Sequence, residues 1–207
     1  MDNNRKHHSR RRRWIIGLGV ACLVVAGGLG AASNYMLDYS LCPPMRHGHN
    51  LPWRLDNILS QSPQLRPWAD SLRRCHALRD TFITMPSGER HHATYIVARR
   101  PTDRVAVLVH GYKDNGMGMM HIASIYSRLG YHLLLPDLHA HGRSQGQGVQ
   151  MGWNDRLDVM RWMEVANRRF GQGRDTRMVV HGVSMGAATT MNVSGEQLPA
   201  YVRCSVE

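Results

Sequence analysis

Residues 177–190 read Arg-Met-Val-Val-His-Gly-Val-Ser-Met-Gly-Ala-Ala-Thr-Thr, an apolar run followed by a serine between glycines and then by small residues. The apolar residues 178–180 predict a buried strand, and the small residues from Ala187 onward predict a helix. Between them, residues 182–186 fit the pattern G-x-S-x-G, in which a serine on a strained turn exposes its hydroxyl above a sheet. The same five residues also fit a plain strand-to-helix turn in which Ser184 only caps the helix. The flanking sequence has to distinguish these two interpretations.

Strand and helix patterns alternate on both sides of this stretch. Residues 105–109 and 132–136 are continuous apolar runs, typical of strands buried on both faces of a parallel sheet. Apolar residues at helical spacing in 122–129 and 159–170 predict helices that end at Gly130 and Gly171. Residues 81–84 and 93–98 flank Pro86-Ser87-Gly88-Glu89 and predict a hairpin, and residues 200–206 predict a further strand. The order predicts an α/β fold with a doubly wound, mostly parallel sheet.

A second motif, His110-Gly111-Tyr112, follows the first apolar run directly. A loop at this position can point backbone N–H groups at a carbonyl oxygen that becomes negative during acyl transfer. We predict the backbone N–H groups of Tyr112 and Met185 as the two donors. His110, Gly111, Gly182 and Gly186 are predicted to have structural roles in the two motifs. The alternative interpretation of His110-Gly111 is a simple glycine turn at a strand end.

The third motif, Pro136-Asp137-Leu138-His139-Ala140-His141-Gly142-Arg143-Ser144, follows the second apolar run. With the other two motifs in this order, the chain resembles the serine α/β-hydrolase superfamily. Within it, the chain is similar to the esterase, lipase and serine aminopeptidase S33-like group. The resemblance covers about residues 80–207 and includes residues 153–158. Where many members have Arg-Gly-His-Gly, this chain has His-Ala-His-Gly, a departure that falls on a structural turn.

The resemblance implies that Ser184 attacks an ester or amide carbonyl to form an acyl-enzyme, with no metal or organic cofactor. In this family the acid and the histidine that assist the serine follow it in the sequence. No histidine follows Ser184 here, and the only carboxylates after it are Glu196 and Glu207. We therefore expect a C-terminally truncated chain with an incomplete fold that is inactive by itself. The alternative is a pseudoenzyme that acts as a membrane-tethered binding protein.

Residues 14–37 contain no charged side chain and are long enough to cross a bilayer as a helix. Six basic residues and one acidic residue precede them, which predicts a cytoplasmic N-terminus and a domain on the outer side of the membrane. A cleaved signal peptide is the competing interpretation, because Gly30-Ala31-Ala32 resembles a cleavage site. We favour an uncleaved anchor, since the apolar run exceeds the usual signal-peptide core.

The formal net charge of +11 is concentrated in this N-terminal head and otherwise spread along the chain. No familiar nucleic-acid-binding module is present, so we expect no nucleic-acid partner, only a substrate and the membrane. The histidines are scattered and predict no clustered zinc ligands. Cys42 and Cys75 could pair if the domain is exported. We divide the chain into a basic head (1–13), an anchor (14–37), a linker with a short amphipathic helix (38–80) and the N-terminal part of a hydrolase domain (81–207).

Overall fold

The chain divides into two compact units, and the boundary between them in the sequence lies between residues 42 and 43. The structure, a computed structural model, describes residues 3–42 and 51–206, and the side chains within 12–42 and 55–203. The predicted linker residues 43–50 and Glu207 therefore lie outside the described residues, as do the side chains of most of the basic head.

The first unit contains one helix, α1 (Asn3–Leu41). Its segment Arg12–Leu41 is long and apolar enough to cross a membrane, and it is the one such segment among the described residues. Large apolar side chains project from it on all sides, and Trp14 and Leu23 are 78% and 74% exposed. A helix that is apolar all round requires an apolar environment.

The second unit is built on a six-stranded sheet with the order β1-β2-β4-β3-β5-β6. The strands are β1 (Leu78–Thr84), β2 (Arg90–Ile96), β3 (Arg104–Val109), β4 (His132–Pro136), β5 (Arg177–Gly182) and β6 (Val202–Val206). The pairs β3–β4, β3–β5 and β5–β6 are parallel, while β2 runs antiparallel to both β1 and β4. The α/β fold is confirmed, and the sheet is mixed because a tight hairpin can join only antiparallel strands.

Helices cover both faces of this sheet. They are α2 (Leu51–Gln61), α3 (Arg66–Arg74), α4 (Met120–Arg128), α5 (Asp155–Gly171) and α6 (Met185–Ser194), with two short 3-10 helices at Pro63–Leu65 and Gly116–Met119. Alternate residues of β3 point to opposite faces. Val105, Val107 and Val109 pack with residues of α5 and α6, whereas Ala106 and Leu108 pack with residues of α2, α3 and α4. Burial on both faces explains the unbroken apolar run of β3.

One segment differs from the sequence prediction. The segment 38–80, predicted as a linker with one short amphipathic helix, contains both α2 and α3, and Leu55, Ile58 and Leu59 of α2 are buried in the core. These three residues recur at helical spacing, but Pro52 and the turn residues before it suggested a break. Pro52 stands in the first turn of α2, where a proline is tolerated because its missing N–H has no intrahelical acceptor.

Candidate active site

Ser184 occupies the sharp turn between β5 and α6. Its backbone has φ 56° and ψ −119°, a conformation that L-residues rarely adopt and that costs about 1–3 kcal/mol. The residue is exposed, whereas Met185 and Gly186 after it are buried. Such strain persists where the surrounding structure enforces it, and it lifts the hydroxyl above the carboxyl end of the sheet.

Three glycines make this turn possible by letting backbone segments touch. A β-carbon on Gly182 would lie 2.0 Å from the carbonyl oxygen of Gly186, and one on Gly186 would lie 2.1 Å from that of Val109. A β-carbon on Gly111 would lie 3.3 Å from Ser184 Cβ. Gly182 and Gly186 therefore close the turn, and the backbone of the His110-Gly111 loop lies directly against Ser184.

The two predicted oxyanion donors lie on segments that adjoin Ser184. Met185 is the first residue of α6, so its amide has no acceptor within the helix. Tyr112 follows Gly111, whose backbone contacts Ser184. The helix dipole of α6 also favours negative charge at this end. The assignment of Tyr112 and Met185 stays a prediction, to which this arrangement lends support.

His110 has both ring nitrogens occupied by backbone groups. Nδ1 donates to the carbonyl of Gly111 at 2.7 Å, and Nε2 accepts the amide of Leu138 at 3.0 Å. These partners fix one neutral tautomer, because a carbonyl only accepts and an amide only donates. Burial, followed by the neighbouring His141, lowers the pKa of His110 to about 4. His110 thus joins two loops and is not placed to accept the proton of Ser184.

His141 is held in a similar way. Its Nδ1 donates to the carbonyl of His139 at 2.8 Å, and its Nε2 accepts the amide of Lys113 at 3.3 Å. The ring packs edge-on against those of His110 and Tyr112. Like His110, it orders the loop beside Ser184 through backbone contacts.

Asp137 organises these loops, a role that the sequence analysis missed. Its carboxylate accepts the amide of Gly116 at 2.7 Å, the amide of Arg143 at 2.8 Å and Nδ1 of His92 at 2.8 Å. Burial would raise the pKa of Asp137, but the hydrogen bond from His92 and the other contacts keep it below its usual value. The signal for this role in the sequence was the position of Asp137 directly after a buried strand. Its hydrogen-bond donors, however, are distant from it in sequence.

The methionines beside the His110-Gly111 loop belong to the core. Met117, Met119 and Met120 are buried among residues of α2 and α3. A cavity of about 680 Å³ lies elsewhere, lined by residues 97–103, His132, residues 170–172, Arg174 and Asp175. It includes no residue of the three motifs, so it is not the acyl site.

Metal-ligating side chains do come together, although the histidines are scattered in sequence. Glu89, His91 and His139 each offer a ligand atom within 4.8 Å of the others. Cys22, Cys42 and Cys75 carry exposed free thiols, and the pairing of Cys42 with Cys75 stays a prediction.

The sequence model of the serine aminopeptidase S33 family matches residues 100–205, about half of the chain. The curated relative YqkD, an uncharacterized protein of Bacillus subtilis (strain 168), is 25% identical over 119 residues. That alignment covers 57% of this chain and 38% of YqkD.

Two solved structures show the same fold. The esterase Pf2001 of Pyrococcus furiosus is 24% identical, with a TM-score of 0.50 over 55% of this chain and 44% of that one. The α/β hydrolase GrgF from Penicillium sp. sh18 is 14% identical, with a TM-score of 0.52 over 62% of this chain and 44% of that one. The matched region spans less than half the length of each of these three relatives.

Proposed function

Because the chain belongs to the serine aminopeptidase S33 family of α/β-hydrolases, we propose that Ser184 is the nucleophile of a serine hydrolase that cleaves an ester or amide bond. The observation that carries this proposal is the backbone of Ser184, held at φ 56° and ψ −119° with its side chain exposed. A serine that only capped α6 would not need this strained conformation.

In the proposed reaction, Ser184 Oγ bonds to the substrate carbonyl carbon as its proton passes to a base. The carbonyl oxygen becomes negative and receives hydrogen bonds from the amides of Met185 and Tyr112. Collapse of this intermediate expels the alcohol or amine, which takes up the proton. Water then attacks the acyl-enzyme by the same steps and releases the acid.

Among the described residues, no base for Ser184 is identified in the position that the family order implies. No histidine follows Ser184 in the sequence, and the nitrogens of His110 and His141 are occupied by backbone groups. A serine hydroxyl without a base is a weak nucleophile. We therefore propose that these 207 residues are inactive by themselves.

Labelling with a fluorophosphonate tests the role of Ser184, since this reagent reacts with activated serines. We expect slow labelling of the 207-residue chain that accelerates with imidazole, because imidazole can replace the absent base. Labelling should disappear in Ser184→Ala and persist in Ser194→Ala, which alters an exposed serine at the far end of α6. Mass spectrometry of the labelled peptide provides the measurement.

The outcomes distinguish the two candidate functions. A folded chain that remains unlabelled at every imidazole concentration supports the non-catalytic binding protein. Equal labelling of wild type and Ser184→Ala would contradict the assignment of the nucleophile. A fast rate that is independent of imidazole would show that a base already lies beside Ser184.

We further propose that α1 anchors the protein in a membrane as a single uncleaved span. The apolar segment Arg12–Leu41 supports this, because 30 residues rise about 45 Å and the bilayer core is about 30 Å thick. The basic residues before it favour a cytoplasmic N-terminus, which would put the hydrolase domain on the outer side.

We expect the 207-residue chain, expressed in bacterial cells, to stay in the membrane fraction after an alkaline carbonate wash. Deletion of residues 1–42 should release it, since the remaining residues form a separate compact unit. A membrane-impermeant maleimide should modify Cys42 and Cys75 in spheroplasts, and the Cys42→Ser/Cys75→Ser variant should lose most of this labelling. A soluble product that begins near residue 32 would instead identify a cleaved signal peptide.

A further inference from the structure

A buried polar cluster lies beside the hairpin formed by β1 and β2. Glu89 directly precedes β2, His91 is the second residue of β2, and His139 lies in the loop after β4. His91 is fully buried and His139 is 8% exposed, whereas the Glu89 side chain is 31% exposed. The fold therefore joins two imidazoles and one carboxylate from distant parts of the chain.

His91 is the residue that points to a missing ligand. Both of its ring nitrogens are buried, and neither has a hydrogen-bond partner among the described residues. Buried polar groups in native proteins are nearly always paired, so each exception requires an explanation. An imidazole with two unpaired nitrogens beside another imidazole and a carboxylate is the arrangement expected of a metal ligand.

The distances between the side chains fit an ion of ordinary size. Glu89 Oε2 lies 3.9 Å from His91 Nε2 and 3.2 Å from His139 Nδ1. Two atoms that each lie about 2.1 Å from a tetrahedral zinc ion are about 3.4 Å apart. The opposite edge of the His139 ring packs on Gly146, where a β-carbon would lie 2.4 Å from Nε2, so Nδ1 faces the cluster.

We propose that Glu89, His91 and His139 bind a divalent transition metal of the zinc class. Two histidines and a carboxylate suit zinc, and water would complete its tetrahedral coordination. The three residues lie outside the Ser184 motif, so this site is additional to the proposed hydrolase function.

Asp158, in the first turn of α5, completes the arrangement as a positioning residue. Its Oδ2 lies 3.6 Å from His91 Nδ1, beyond hydrogen-bond range but close enough for a small ring rotation to close the gap. A carboxylate on one nitrogen of a histidine fixes the tautomer and directs the other nitrogen to the metal. Loss of such a partner usually weakens metal binding about 10-fold to 100-fold.

A cavity offers an ion a path to this site, and a bound ion would connect two parts of the fold. Glu89 lines a cavity of about 650 Å³ together with Ala140 and residues 142–147. The ion would tie the hairpin to the loop that carries Asp137 and His141. Because an ion bound only by the folded state stabilises it, zinc should raise the melting temperature of the protein.

The test uses the 207-residue chain in detergent, stripped with a chelator and dialysed against zinc. We expect one zinc per chain by elemental analysis and a higher melting temperature than in the stripped protein. Glu89→Gln and His139→Ala should each weaken zinc binding at least about 10-fold. Asp158→Asn should weaken it while preserving the stoichiometry at saturation. His121→Ala, which alters an exposed histidine on α4, is the matched control and should bind as the wild type does.

Cobalt substitution provides a readout that does not depend on stability. A tetrahedral cobalt spectrum should appear in wild type and in His121→Ala, and should be lost in His139→Ala. The proposal is overturned if the stripped protein takes up no stoichiometric zinc. It is equally overturned if zinc binding persists unchanged in Glu89→Gln and His139→Ala, because the ion would then be bound by other residues.

Discussion

The substitution Gly186→Ala should destabilise the protein by more than about 3 kcal/mol and prevent the turn at Ser184 from forming. The new β-carbon would lie 2.1 Å from the carbonyl oxygen of Val109 and 2.6 Å from that of His110. Both atoms belong to the backbone at the end of β3, which is buried and paired on both sides. Neither can yield without displacing the loop that lies against Ser184.

Gly195→Ala is the matched control, because Gly195 lies at the other end of the same helix. Its φ of −82° suits any residue, and a β-carbon would come no closer than 3.6 Å to a neighbouring backbone oxygen. Thermal unfolding of the 207-residue chain, monitored by near-ultraviolet circular dichroism, gives the melting temperatures of the two variants for comparison. If Gly186→Ala unfolded at the same temperature as Gly195→Ala, this would contradict the close approach of Gly186 to the carbonyl oxygen of Val109, on which the turn depends.

Local patterns in the sequence predicted the elements that carry Ser184. The apolar runs within β3, β4 and β5 identify these strands, because burial on both faces of the sheet favours consecutive apolar residues. The pattern G-x-S-x-G identified the turn, in which Gly182 lies against the backbone of Gly186 four residues later. The close approach of Gly186 to Val109 joins segments that are distant in sequence, and the pattern alone does not show it. The hairpin of β1 and β2 was also predicted, whereas the antiparallel pairing of β2 with β4 was not, because it joins segments that are distant in sequence.

Features that depend on distant contacts were not accessible in this way. The helix α2 was missed because its stability comes from burial of Leu55 and Leu59 in the core, while proline and turn residues dominate the local sequence. The cluster of Glu89, His91 and His139 requires β2 and β4 to be neighbours, which no local pattern reveals. In the sequence Asp137 resembles an ordinary turn residue, because Gly116 and His92, which donate hydrogen bonds to it, are distant in sequence.

Asp137→Ala should have the second large effect, a loss of about 3–5 kcal/mol in the free energy of unfolding. The carboxylate is buried and accepts hydrogen bonds from two amides and from His92. Removing it leaves three donors without this acceptor at a position where the Asp137 side chain is almost fully buried. Each buried unsatisfied donor costs about 1–3 kcal/mol, and total stability is only about 5–15 kcal/mol. Urea unfolding of the 207-residue chain in detergent measures the free energy of unfolding of the variant and of the wild type.

Two further substitutions separate this explanation from a general effect of losing a negative charge. Asp103→Ala removes an exposed carboxylate that pairs with Arg177, and it should leave the unfolding midpoint almost unchanged because exposed ion pairs contribute little. Asp137→Asn keeps one acceptor oxygen but turns an NH₂ group toward an amide N–H or toward His92, so its effect should lie between those of the two alanine variants. If Asp137→Asn proved as stable as wild type, the loops beside Ser184 would not depend on a carboxylate at this position.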